Sequence, residues 1–417
     1  MKIRTKLLTV VSAAGWLLPM SQALAGIDVA AGDWTIDFSG NVNGFYVDAS
    51  CDHGINTAVI GGLACTGDNS AAVRNGLLPA ALVFSATTRQ DNFDVGVTIG
   101  FYPGINSSAA EGVNGPGLPA ALQTPGIDAR QAFFTFGDKS WGTVKIGRDI
   151  GLFGKDAILD DMTLLGVGTA GPGAAAPGNT SLGRIGIGYI YTDWEPQITY
   201  TTPTFNGFSA SAGVFQPLDS GDYTTHTSPQ WQAGLSYSWG DPKTDTVSGK
   251  AWLDAVTQGA KANSSDVSAD TTAGISTNFN GTAVDGGVKV DVAGFEGVLY
   301  GYSGKGIGTT GLFILATSAS GDTRKSYGGY AQATYKINKL KIGLSYGISE
   351  LKLANDEEAF AGTSNLLRRN SSGVFGLYYS LTKSITLVGE FVDSKAQAWD
   401  VNSATEKDYV VGGILFF

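Results

Sequence analysis

Gln230-Trp231-Gln232-Ala233-Gly234-Leu235-Ser236-Tyr237-Ser238-Trp239 has a strict period of two. Trp231, Ala233, Leu235, Tyr237 and Trp239 alternate with Gln230, Gln232, Gly234, Ser236 and Ser238. Successive side chains of a strand point to opposite faces, whereas a helix repeats near 3.6 residues, so this segment is a strand with one apolar and one wet face. Leu340 to Ser349 repeats the pattern, with Leu340, Ile342, Leu344, Tyr346 and Ile348 against Lys341, Gly343, Ser345, Gly347 and Ser349. From Asp408 the alternation runs to Phe417, so the C-terminus is itself a strand.

Working outward, such segments fall near 33–48, 79–89, 92–102, 128–138, 141–149, 195–205, 208–216, 229–240, 246–256, 283–293, 294–304, 326–337, 340–351, 371–381, 384–395 and 407–417. That is about sixteen; one misassigned hairpin would make fourteen or eighteen. The stretch 184–194 reads as an extension of the sixth strand, the end of the loop before it, or a strand of its own. Tight connections at Gln90-Asp91, Gly137-Asp138-Lys139, Asn206-Gly207, Asn338-Lys339 and Thr382-Lys383 alternate with long polar stretches. A compact soluble domain seldom carries so many long loops. Short turns at one end and long loops at the other are the layout of an all-β transmembrane antiparallel β-barrel. Aromatic residues near segment ends, among them Trp34, Tyr46, Tyr102, Trp141, Trp239, Tyr346 and Phe417, suit the interfacial girdles of such a barrel.

Composition agrees. Glycine, 59 of 417 residues, is far above ordinary usage without a collagen period, and only 15% of residues are charged. Residues 1–25 open with Lys2, Arg4 and Lys6, continue through an apolar stretch from Leu7 to Leu18 and end in Ala23-Leu24-Ala25, which reads as a cleaved secretory signal. The expected mature barrel is 26–417, with 24 basic against 37 acidic residues. An acidic chain excludes a nucleic-acid partner and predicts a weak preference for cations. Export makes Cys51 and Cys65 a disulfide pair, and two cysteines with only His53 and His226 elsewhere complete no zinc site. No Gly-x-Ser-x-Gly elbow, His-Glu-x-x-His pair or phosphate-binding glycine loop is present, so neither catalysis nor a cofactor is expected.

The chain resembles the Gram-negative general diffusion porins, trimeric sixteen-stranded outer-membrane barrels. The resemblance is carried by Ala129-Arg130-Gln131-Ala132-Phe133, by Trp141-Gly142-Thr143-Val144-Lys145-Ile146-Gly147-Arg148-Asp149, by Thr201-Thr202-Pro203-Thr204-Phe205-Asn206-Gly207-Phe208 and by the terminal Phe417. It implies that the third long loop, Ile150 to about Gly183, folds inward as an eyelet, with Arg130, Arg148 and Arg184 on the wall facing Asp156, Asp160 and Asp161 on the loop. Asp161-Met162 resembles the eyelet step of enterobacterial relatives, but the family's next carboxylate would fall at Leu165 and a further wall arginine at Ala81, neither of which is charged. The resemblance also implies a homotrimer, contact with outer-membrane lipid and lipopolysaccharide, a second loop from Pro103 to Gly126 reaching over a neighbour, and Phe417 as the signal read by the barrel-insertion machinery. The function it implies is a water-filled channel for passive diffusion of ions and small hydrophilic solutes. A substrate-selective channel is the alternative, and an adhesin or outer-membrane enzyme a third reading. Gly311-Leu312-Phe313-Ile314-Leu315-Ala316 is apolar for an exposed loop, and its reading is open between docking a ligand, latching a neighbour and packing into the lumen.

Overall fold

A computed structural model describes residues 26–106, 126–174, 178–219, 224–262 and 278–417. The expected signal, 1–25, and most of the second loop lie outside these residues. The chain forms strands β1 (Ile27–Ala31), β2 (Trp34–Ser50), β3 (Ser70–Arg74), β4 (Ala81–Gln90), β5 (Phe93–Pro103), β6 (Ile127–Asp138), β7 (Gly142–Ile150), β8 (Trp194–Thr201) and β9 (Phe208–Phe215). These are followed by β10 (Thr224–Trp239), β11 (Val247–Ala262), β12 (Asn278–Val292), β13 (Phe295–Lys305), β14 (Lys325–Ile337), β15 (Leu340–Leu351), β16 (Leu367–Ser380), β17 (Ile385–Ala398) and β18 (Ser403–Phe416).

Strand β2 and strands β4 to β18 make a closed sixteen-stranded antiparallel barrel. It closes where β18 pairs with β2, Phe416 opposite Asn41, and Phe417 and Gly40 exchange backbone hydrogen bonds of 2.9 and 3.1 Å. Below that point β1 continues the place of β18 along β2, and above β4 the short β3 continues the place of β4. Closure leaves no sheet edge with unpaired N–H and C=O groups, which hydrocarbon could not satisfy. Turn chemistry supports the hairpins: Asp91 and Asn92 hold the left-handed conformation of a two-residue turn between β4 and β5.

The alternation sorts the two faces. Leu253, Leu299, Leu344 and Val411 are exposed on the outer face, while their neighbours Asp254, Val298, Ser345 and Val410 are buried. Phe208, Tyr237 and Trp239 stack near the turn end, with Phe208 and Tyr237 rings 4.4 Å apart, and Phe93 packs edge-on against Trp141 at 6.3 Å. Tyr46, Trp231 and Tyr409 are exposed toward the loop end. These rings form the two girdles of a barrel set in lipid. Tyr102, expected among them, is buried instead. It faces inward, hydrogen-bonds Gln131 and packs against Trp194 at 5.9 Å.

All sixteen expected segments are strands, but β10, β11 and β12 run about five residues further at the loop end than alternation suggests. Gln258-Gly259-Ala260-Lys261-Ala262 and Asn278-Phe279-Asn280-Gly281-Thr282 are pieces of that extension, with little outward apolar signal because they rise past the lipid-facing band. The stretch 184–194 is irregular until β8 starts at Trp194. Cys51 and Cys65 form a disulfide, Cα to Cα 5.0 Å, inside the loop between β2 and β4. Thiol labelling of the unreduced, denatured protein should therefore find no reactive thiol; full labelling would remove the crosslink.

Candidate pore constriction

The loop between β7 and β8, residues 151–193 and here called loop 3, contains helix α1 (Lys155–Leu159) and a single 3-10 turn at Met162–Leu165. It lies against the polar inner face of the barrel, held by side chains that rise from successive strands. On β10, Gln232 Oε1 accepts from the amides of Leu152 and Phe153 at 2.6 and 2.9 Å. On β12, Asp285 accepts from Gly154 N at 2.6 Å. On β14, the Tyr330 hydroxyl donates to Ala157 O at 2.8 Å, and Gln332 accepts from Met162 N at 2.7 Å. On β17, one oxygen of Glu390 accepts from both Val167 N and Gly168 N at 2.9 Å. A loop has no ladder of its own, so these acceptors replace water for buried amides. The third loop thus folds into the barrel and extends to Asp193, ten residues past the expected end.

Two arginines complete the docking. Arg74, at the end of β3, is fully buried and donates from Nη1 to Ala174 O and Ala170 O at 2.9 and 3.3 Å, from Nη2 to Thr180 O, and from Nε to Asn75 O at 3.1 Å. Arg184 is also fully buried; its Nε donates to Ser345 Oγ at 2.6 Å and its Nη1 to Ser372 O at 3.1 Å. Nearby, Asp161 accepts from Thr163 N at 2.9 Å and from the Tyr189 hydroxyl at 3.0 Å. Gly347 on β15 makes room for this contact, since a β-carbon there would lie 2.3 Å from Ile187 O and 2.7 Å from Arg184 Nη1.

These positions correct the expected eyelet. Arg184 does not face the pore; it sits between loop and wall, where burial pulls its guanidinium below the ordinary range and Asp161 offsets only part of that cost. Asp161 is turned the same way. Asp160 is buried too, beside Lys250 at 2.9 Å and Lys289 at 3.4 Å, and burial outweighs both lysines to raise its carboxyl above the ordinary range. Arg148 borders the cavity through β7, but it falls on the alternation of Val144 and Ile146, the outer face, opposite Ala132 and Pro196. The inner cation of that strand is Lys145, which pairs with Asp149 and lies 5.0 Å from the centre of the Phe133 ring.

The open lumen is a cavity of about 1240 Å3 between loop 3 and the wall of β2 and β4 to β11. Of the expected set, Arg130, Arg148 and Asp156 border it, Arg148 from a position on the outer-face alternation of β7. Arg130 stands over the Tyr102 ring at 5.6 Å and pairs with Asp128 at 2.9 Å, and Asn179 of loop 3 donates to the same carboxylate. Asp156 pairs with Lys250 at 2.8 Å. Burial pushes its carboxyl up, but Lys155 and Lys250 together hold it below the ordinary value, so it is charged at neutral pH.

A second loop, 306–324, enters the same space. Leu312 and Phe313 are buried against loop 3, and Tyr191 N donates to Thr310 O at 2.8 Å. Of the open readings for this apolar segment, the structure shows packing into the barrel.

This architecture is that of an outer-membrane channel, and the sequence places the chain within a family of them. Residues 20–398 match the family described as Gram-negative porin, to which the chain belongs. It is a passive channel of the outer membrane for small solutes. Among curated proteins none matches it. The outer membrane channel DcaP of Acinetobacter baumannii shares the fold at a TM-score of 0.65 and 15% identity, over 93% of this chain and 99% of that one. An anion-selective porin from Comamonas acidovorans shares it at 0.58 and 15%, over 92% and 100%. OmpT of Vibrio cholerae in its trimer form shares it at 0.54 and 12%, over 92% and 99%.

Proposed function

We propose that solutes pass between the free rim of loop 3 and the wall of β4 to β9, and that ion preference is set there by Arg130 and Lys145 on the wall and Asp156 on the loop. The observation that carries this reading is the lumen that these residues border while loop 3 covers the opposite wall. Each cation has a carboxylate partner nearby, so the field is local and mixed, and the net acidity of the chain is a poor guide to it. The expected weak cation preference gives way to near-neutral selectivity. Likeness to the trimeric form of OmpT supports a homotrimer, and Phe417, at the seam between β18 and β2, suits the role of insertion signal.

Planar-bilayer recording in a salt gradient tests the reading. Ohmic steps in multiples of three are expected, with a small reversal potential; silence would remove it. Lys145→Met removes the cation beside Asp149, which keeps its bond from Gln131, so the cation-to-anion permeability ratio should rise roughly twofold to fivefold, the scale of a 0.5–1 kcal/mol change at a pair whose lysine is partly exposed to the lumen. The same substitution at position 148 should leave the ratio unchanged, since that side chain lies on the outer face.

A further inference from the structure

The two sides of the lumen differ in chemistry. Its loop side presents Leu78, Leu159, Leu182, Tyr191 and Ile314, continued by Trp194 at the start of β8 and all at least partly exposed, beside the polar Asp156 and Thr180 of loop 3. Its strand side presents Ser85, Thr98, Thr135, Thr143, Thr199 and Ser211. Water would be better served by polar groups on both sides, and exposed apolar residues along a water-filled path are unfavourable unless something covers them in transit. Ile314 is the most exposed of them, at 41%, while Phe313 beside it is 1% exposed. Phe313 and Leu315 both adopt left-handed backbone, φ 70° and 60°, a conformation costly for large side chains. The loop, whose Thr310 and Gly311 also border the lumen, therefore accepts strain on both sides of Ile314, the large apolar side chain it holds out there.

We infer that this lumen is a permeation site for small uncharged amphipathic solutes, molecules with a ring face and a hydroxylated edge, and that Ile314 is its specificity-determining residue. The ring lies on the loop ledge and the hydroxyls exchange hydrogen bonds with the Ser and Thr wall. An uncharged solute fits because Arg130, Lys145 and Lys250 are each matched by a carboxylate. The inference rests on the channel reading above, which supplies the open path.

Ion current through the purified porin is recorded while phenyl β-glucoside or methyl β-glucoside is added. The two share a sugar and differ by the ring. Phenyl β-glucoside is expected to interrupt the current at about tenfold lower concentration, as burial of part of an aromatic face would give. Ile314→Ser should remove most of that difference and Ile314→Leu should keep it, with current steps showing that each variant inserts. Equal interruption by both sugars, interruption by neither, or an Ile314→Ser channel that still discriminates overturns the inference and leaves the channel standing. A wild-type protein that carries no current overturns both.

Discussion

Arg74→Met is expected to give a channel of several-fold higher and noisier conductance. The guanidinium reaches Ala170, Ala174 and Thr180 together, so it gathers the distal half of loop 3 onto β3. Methionine keeps most of the stem and none of the donors. Hydrogen bonds from a charged donor contribute about 1.5–3 kcal/mol each, and losing two or three of them costs the docked state on the order of 3–6 kcal/mol, with some recovered as the carbonyls find water. The barrel ladder does not depend on this contact, so global unfolding temperature should change little while the loop opens. Lysine retains the charge but lacks the planar fork that serves several carbonyls, and Arg74→Lys should lie between the two. Single-channel conductance and its open-state noise are the readouts; wild-type values in the methionine variant would mean that loop 3 is held elsewhere.

The barrel was legible because lipid imposes a rule on every strand. Outward residues must be apolar, and the period of two repeats at each segment such as Leu340 to Ser349, whatever the loops do. Where strands leave the lipid the rule lapses, and there the loop ends of β10, β11 and β12 outrun the alternation. β1 and β3 escaped notice for a related reason: each is five residues long and completes another strand's place in the sheet. Nothing in Ser70-Ala71-Ala72-Val73-Arg74 announces that it lies beside the upper part of β2.

The constriction was harder to read, because a loop carries no period to say which way a side chain points. Asp156, Asp160 and Asp161 are close in sequence, yet α1 and the 3-10 turn send the first into the lumen and the other two toward the wall. The resemblance implies a wall position for Arg184, and the structure uses its guanidinium to fasten the loop instead. For Arg148 the signal was available. Counting alternate positions from Thr143 reaches Lys145 and Asp149 on the inner face and leaves Arg148 on the outer one. Arg74 carried no signal at all, since its acceptors are backbone carbonyls about 100 residues away in sequence.

Glu390→Ala should free the middle of loop 3, and Glu390→Gln should largely spare it. One carboxylate oxygen accepts two loop amides, Val167 N and Gly168 N, at 2.9 Å, and the other accepts the Tyr378 hydroxyl at 2.7 Å. Truncation to alanine leaves three buried donors without acceptors, at about 1–3 kcal/mol each, and adds a cavity beside Gly166. Glutamine keeps one oxygen in place for the two amides and loses only the bond from Tyr378, so its cost is near that of one bond, about 1 kcal/mol. The order alanine, glutamine, wild type should therefore appear in both channel noise and susceptibility of loop 3 to protease. A glutamine variant as disturbed as alanine would show that negative charge, rather than the pair of accepted amides, holds the loop. That result would be informative, because the positive charges of Arg74 and Arg184 flank the same stretch of loop and would then act as its counter-ions.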